Sequence, residues 1–289
     1  TLPDSDARVD MDVLENVRRS PIVDTGGVTF VYRGAADAVN LRLWIHGLPA
    51  TQPFERVGEA DLWVLRVELP ENSRIEYKFA VTRDGREEWI LDPLNPLRAS
   101  DPFGANSVAQ GHGYVRPEWT VSDGQARTGA IEEVTVHSAA LGDERHLGVY
   151  VPARFRRSRH YPLLIVHDGF DYLRYADLRV VLDNLIHRLE IPPLIAAFTQ
   201  SPDRLEEYAG HDGHARFVAV EIPELLQHSF PLHPSPAARG LVGASFGAVA
   251  SLHAAWRHPG VFGRLALQSG SFAFADIGHH RRSPTFDPV

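Results

Sequence analysis

The apolar residues of this chain change their spacing partway along, and no single layer of structure accommodates both patterns. Over residues 28–79 they alternate: Leu41, Leu43 and Ile45 against Arg42 and His46, then Trp63, Leu65, Val67 and Leu69 against Arg66 and Glu68. Alternation puts every second side chain on one face, which is the pattern of half-buried strands. A third run, Ile75, Tyr77, Phe79 and Val81 between Arg74, Glu76 and Lys78, leads into Asp84-Gly85, a pair suited to tight hairpins. Short strands with frequent turns predict a β-sandwich. Residues 92–113 carry Pro93, Pro96 and Pro102 among several Gly and Asn, show no clear period and are expected to close this first domain.

Strands then alternate with helices. Residues 161–166 (YPLLIV) form an unbroken apolar run, as a parallel strand covered on both faces requires. Leu178, Val181, Leu182, Leu185, Ile186 and Leu189 recur at helical spacing and define one apolar face, which Pro192-Pro193 ends. Residues 194–198 predict the next buried strand and residues 215–228 a further helix. The alternation predicts a doubly wound, mostly parallel sheet. A length of 289 residues suits two cores. The expected organisation is an N-terminal region with the sandwich at 1–116, a linker at 117–128 and an α/β domain at 129–289.

Lys+Arg 29 against Asp+Glu 37 gives a net charge of −8, which argues against a nucleic-acid backbone or an anionic membrane as partner. No apolar run reaches the ~18 residues that a membrane helix needs. With Cys 0, disulfides, thiolate metal sites and a cysteine nucleophile are excluded. A small molecule is the expected partner. The cytoplasm is the expected location, with the periplasm as the alternative.

The chemistry concentrates at Gly243-Ala244-Ser245-Phe246-Gly247, with the short apolar segment Leu241-Val242 before it and the helix-prone AVASLHAAWRH after it. A nucleophile on a sharp turn needs small neighbours so that the backbone can fold tightly and the hydroxyl stand clear. Ser245 is the expected nucleophile. The backbone N–H of Phe246, opening the following helix, can stabilise an oxyanion. A second donor is expected from the turn His167-Asp168-Gly169-Phe170 that follows the YPLLIV strand, where the bland alternative is a simple strand-exit turn closed by Asp168.

Together these features resemble the enterochelin (ferric-enterobactin) esterase branch of the esterase-D-like α/β hydrolases over nearly the whole chain. The matching stretches are ELPENSRIEYKF and DPLNP in the first half, then the HDGF turn, PDRLEEY, the GASFG elbow and LALQSGSF. The resemblance implies an α/β-hydrolase domain preceded by an immunoglobulin-like β-sandwich, with Ser245 as nucleophile and Phe246 and Phe170 as oxyanion-hole amides. It further implies that Arg204 and Tyr208 contact an acidic catecholate substrate, a task suited to a guanidinium. No cofactor or metal is implied.

A serine hydrolase of this kind takes a histidine and an acid from the chain after the serine. Residues 246–289 hold the elbow helix, one strand at 263–268 and a polar loop, so the hydrolase domain is expected to lack its C-terminal strands, with histidine and acid beyond Val289 and this chain inactive or impaired. His253 lies about 12 Å along the elbow helix, too far to serve as base, and His258 farther still. His279 and His280, near Asp276, read as solvated loop histidines. The segment His211-Asp212-Gly213-His214 reads as a polar loop rather than a metal site. Trp44, Trp63 and Trp89 read as core or interface residues rather than a sugar platform. The leading expectation is a serine esterase acting on an enterobactin-like trilactone. The alternatives are a carbohydrate esterase releasing feruloyl or acetyl groups, and a non-catalytic binder of siderophore or glycan.

Overall fold

The computed structural model describes residues 17–45, 49–58 and 61–272. His46, Asp276, His279 and His280 lie outside them. The chain divides into two compact units, Thr1–Arg116 and Pro117–Val289.

The first unit contains β1 (Ile22–Asp24), β2 (Gly27–Arg33), β3 (Ala38–Leu43), β4 (Thr51–Pro53), β5 (Glu55–Arg56), β6 (Leu62–Val67), β7 (Arg74–Arg83), β8 (Arg86–Ile90), β9 (Arg98–Asp101) and β10 (Gly104–Gln110). They form two antiparallel sheets, ordered β1-β2-β6-β5 and β4-β3-β7-β10-β9, with β8 beside β7. The sheets share one core. Phe30 and Tyr32 from the first pack with Leu41, Leu43, Tyr77 and Phe79 from the second, and the Phe30 and Tyr77 rings meet edge-on at 4.7 Å. Burying each such ring contributes roughly 1.5–3 kcal/mol, and the period-two pattern follows from it. Asp84 (φ 49°) and Gly85 (φ 71°) turn β7 into β8, a hairpin that needs two left-handed residues.

Residues 92–113, which show no clear period in the sequence, contain the β9–β10 hairpin. Its inward side chains, Ser107 and Ala109, are too small to leave a hydrophobic period. The preceding DPLNP turn is fixed by buried hydrogen bonds, from Tyr77 Oη to Asp92 Oδ2 (2.7 Å) and from Asn95 Nδ2 to Tyr77 Oη (2.9 Å). Of the three tryptophans, only Trp63 is buried; Trp44 and Trp89 are exposed and pack on each other at 5.9 Å, with Arg42 over the Trp89 ring.

The second unit builds one sheet from β11 (Ala130–Ser138), β12 (Asp143–Val151), β13 (Leu163–Val166), β14 (Ile195–Thr199), β15 (Arg239–Ala244) and β16 (Arg264–Gln268), ordered β11-β12-β14-β13-β15-β16. The pairs from β14 to β16 are parallel, whereas β11 and β12 run antiparallel, so the sheet is mixed. The sequence reading did not anticipate the β11–β12 hairpin, whose outer strand (AIEEVTVHS) is largely solvated. Its helices are α1 (Gly169–Tyr175), α2 (Leu178–His187), α3 (Arg204–Glu207), α4 (Asp212–Arg216), α5 (Ile222–Ser229) and α6 (Phe246–Arg257). A π turn at Phe217–Glu221 joins α4 to α5, and Glu221 accepts hydrogen bonds there from Ser138 Oγ (2.6 Å) and the Ala140 amide (2.9 Å).

Helices cover both faces of this sheet. Leu163, Ile165, Ile195 and Ala197 pack against Phe217, Val218 and Ile222 on one side, and Val166, Ala196 and Phe198 against Leu182 and Ile186 on the other. Two-sided burial explains the unbroken apolar strands. Residues 117–128 lie against α2, where Asn184 Nδ2 donates to the Trp119 and Val121 carbonyls at 3.0 and 2.7 Å. Among the described residues, no helix is long and apolar enough to cross a membrane.

Candidate active site

β13 and β15 run side by side in parallel, Val166 opposite Val242, so the turns leaving them emerge together at one edge of the sheet. That edge, outside the carboxyl ends of the strands, is where open α/β sheets bind ligands. At the end of β15, Ser245 adopts φ 54° and ψ −118°, a sparsely populated conformation that costs roughly 1–3 kcal/mol. Gly243 is sterically required, and Gly247 stands in a tight space. A Cβ on Gly243 would lie 2.2 Å from the Gly247 carbonyl oxygen, and one on Gly247 would press on Asp168 Oδ2 at 3.3 Å. The Ser245 amide donates to the Gln268 carbonyl (2.9 Å), and its Oγ lies 2.9 Å from Ser271 Oγ. Ser271 was not singled out as a site residue, although it sits inside the LALQSGSF stretch.

The second turn holds Asp168 in the left-handed region (φ 52°, ψ 37°) and starts α1 at Gly169, where a Cβ would come within 2.4 Å of Phe198 Cα. Phe170 and Phe246 thus stand in the first turns of two helices that follow neighbouring strands, where backbone N–H groups have no acceptor within the helix.

Arg204 and Tyr208 reach these turns from beneath. Arg204 Nε donates to Asp168 Oδ1 and Oδ2 at 3.0 and 2.9 Å, and its Nη2 donates to the Ala244 carbonyl at 3.2 Å. The guanidinium lies over the Tyr208 and Phe246 rings. Tyr208 is fully buried, and its hydroxyl accepts from the Asp168 amide (3.2 Å). It has no surface to offer a substrate, which corrects its expected role as a substrate contact. Burial pushes its phenol well above the ordinary value. Burial also raises the Asp168 carboxyl, while Arg204 pulls the other way.

Below lies a polar layer that the sequence did not reveal. His167 and His214 are fully enclosed, 5.3 Å apart between ring centres, and burial pushes both below the ordinary histidine value. His214 Nδ1 lies 3.3 Å from Glu207 Oε2, and Arg145 bridges Glu207 to Asp143. Burial opposes ionisation of Glu207, yet its polar neighbours His214, Arg145 and Ser201 hold it down to about 2. The segment His211–His214 is therefore no polar loop: His211 caps α4 and His214 is buried in its first turn. His211 closes that cap by accepting from the His214 amide at 3.2 Å.

His253, rejected as a base on distance, is buried with Nε2 3.5 Å from Asp212 Oδ1. Among the described residues, no histidine hydrogen-bonds to Ser245, and no group of three or more His, Asp or Glu is arranged to hold a metal.

Residues 138–276 match the family model described as "Putative esterase". The uncharacterized protein YjcH of Bacillus subtilis (strain 168) is 28% identical over 150 residues, spanning 50% of this chain and 62% of its own. The iron(III) enterobactin esterase of Escherichia coli O6:H1 (strain CFT073) is 25% identical over 273 residues, 83% of this chain and 68% of its own. The chain thus spans about two thirds of the length of these curated relatives. The crystal structure of the enterobactin esterase from Shigella flexneri in the presence of enterobactin superposes with a TM-score of 0.70 at 21% identity, covering 94% of this chain and 79% of that one. A model of the esterase family thus matches residues 138–276, and the chain is similar to enterobactin esterases in sequence and in fold along most of its length.

Proposed function

We propose that this chain is a serine esterase whose substrate is the ester-linked trilactone of a catecholate siderophore. Ser245 Oγ attacks an ester carbonyl, and the amides of Phe246 and Phe170 receive the developing oxyanion. The serine proton passes to a base and on to the departing alkoxide. Water then splits the acyl-enzyme, returning the proton to Ser245 and releasing the acid. The base comes from outside the described residues, since Ser271 is the hydroxyl's hydrogen-bond neighbour within them. The first unit, in this reading an immunoglobulin-like sandwich, accompanies the catalytic domain, and the reaction needs no cofactor. The observation that carries the proposal is Ser245's strained conformation at the carboxyl edge of a parallel sheet, one residue before a helix. The siderophore half rests on the enterobactin-esterase relatives.

The test is hydrolysis of p-nitrophenyl acetate, enterobactin and a feruloylated sugar by the chain and by Ser245→Ala. Turnover of the neutral ester and of enterobactin, lost in the variant, is expected. Turnover indifferent to the variant overturns the mechanism, and preference for the feruloylated sugar overturns the substrate.

A further inference from the structure

We propose that Arg204 is a positioning residue that locks the two strand-exit turns together and thereby fixes the amides of Phe170 and Phe246, rather than a group that holds substrate. The inference rests on the reading of Ser245 as nucleophile. Its basis is a matched geometry. Arg204 bonds the side chain of Asp168 and the carbonyl of Ala244, and each of those residues stands two positions before one of the two amides. One planar group therefore spans equivalent points on both turns.

Other contacts make the brace stiff. Tyr208, one helical turn after Arg204, takes the Asp168 amide on its hydroxyl, so the same turn of chain grips Asp168 by backbone and carboxylate. Asp168 Oδ2 also faces Gly247, where an added Cβ would meet it at 3.3 Å. Both braced turns contain a residue at positive φ, Asp168 and Ser245, which would relax into commoner conformations if released. The side chains of the pair keep only 29% and 10% of their exposure, so solvent screens the contact little. Lysine cannot replace the arginine, because the bonds to Asp168 and Ala244 leave from different nitrogens of a rigid fork.

A neutral ester separates this role from substrate binding. With p-nitrophenyl acetate, Arg204→Lys should lower kcat on the order of 10- to 100-fold while KM moves about twofold or less, and Asp168→Asn should do the same. The double variant should lose little more than either alone. Hydrogen exchange of the intact chain gives a second reading that needs no turnover: amides in 168–171 and in 244–248 should exchange faster together in Arg204→Lys. Normal kcat on the neutral ester with a raised KM for enterobactin would return Arg204 to substrate binding. Unchanged exchange in both segments of a folded variant overturns the brace. Should turnover prove indifferent to Ser245→Ala, the nucleophile reading falls alone and exchange decides the brace.

Discussion

His167 Nδ1 lies 2.9 Å from Ser251 Oγ, and that hydroxyl donates onward to the Gly247 carbonyl at 2.8 Å. Because the serine proton is committed to Gly247, the imidazole must be the donor, which sets its tautomer with the proton on Nδ1. The end of β13 is thereby tied to the first turn of α6, inside a fully buried environment. Ser251→Ala strands the His167 N–H without an acceptor and should cost about 1–3 kcal/mol in urea unfolding. A loss below a few tenths would show that the contact contributes nothing.

Acid should destabilise the fold through its enclosed histidines. Burial lowers His253 from 6.5 to about 4 and also depresses His167 and His214. Between those values the unfolded chain binds a proton that the folded chain refuses, so stability present above pH 6.5 drains away as pH falls towards 4. Asp168 and Asp92, raised by burial, act in the opposite sense and offset part of the loss. The measurement is therefore differential. His253→Gln should flatten the stability profile between pH 6.5 and 4 by up to about 3 kcal/mol, and a profile parallel to wild type would refute the assignment.

Steric demand at the turns can be checked with two glycines. Gly169→Ala would put a methyl 2.4 Å from the Phe198 backbone, so overpacking should cost at least about 1–3 kcal/mol and depress any Ser245-dependent turnover. At Gly124 an added Cβ meets nothing within 4 Å. Gly124→Ala should leave the thermal midpoint within a degree or two, or raise it slightly. Equal effects at both positions would contradict the packing described.

The Arg145–Glu207 pair is enclosed, with Nη2 to Oε1 at 2.6 Å. Replacing Arg145 by Ala leaves Glu207 charged, buried and short of its main partner, which should cost about 3–5 kcal/mol by chemical denaturation. The Arg145→Ala, Glu207→Gln double variant should recover part of that. No recovery would mean that the arginine acts by packing alone.

How much was readable beforehand depended on whether the constraint was local. The elbow was legible because the collision of Gly243 with Gly247 leaves only small residues admissible within five positions of chain. α2 was legible because its apolar stripe repeats against one partner, the sheet. The β9–β10 hairpin escaped notice because Ser107 and Ala109 carry no hydrophobic contrast. Tyr208 and His214 were misplaced for another reason. Their burial is set by Asp168, Glu207 and Arg145, and Arg145 sits 62 residues before Glu207, a separation that no periodicity reports. Trp44 and Trp89 failed in the reverse direction, since large aromatic rings read as core and here pair in solvent.

The π turn at Phe217–Glu221 bears on how this chain tolerates changes of length. A wide turn holds one residue more than an α-helical turn, while the helix on either side keeps its own facing. Loss of one residue there would close the bulge and leave His214 under the elbow and Leu226 under the sheet. What it would sacrifice is the reach of Glu221 to Ser138 and Ala140, so the segment can absorb an insertion or deletion at the expense of one anchoring carboxylate.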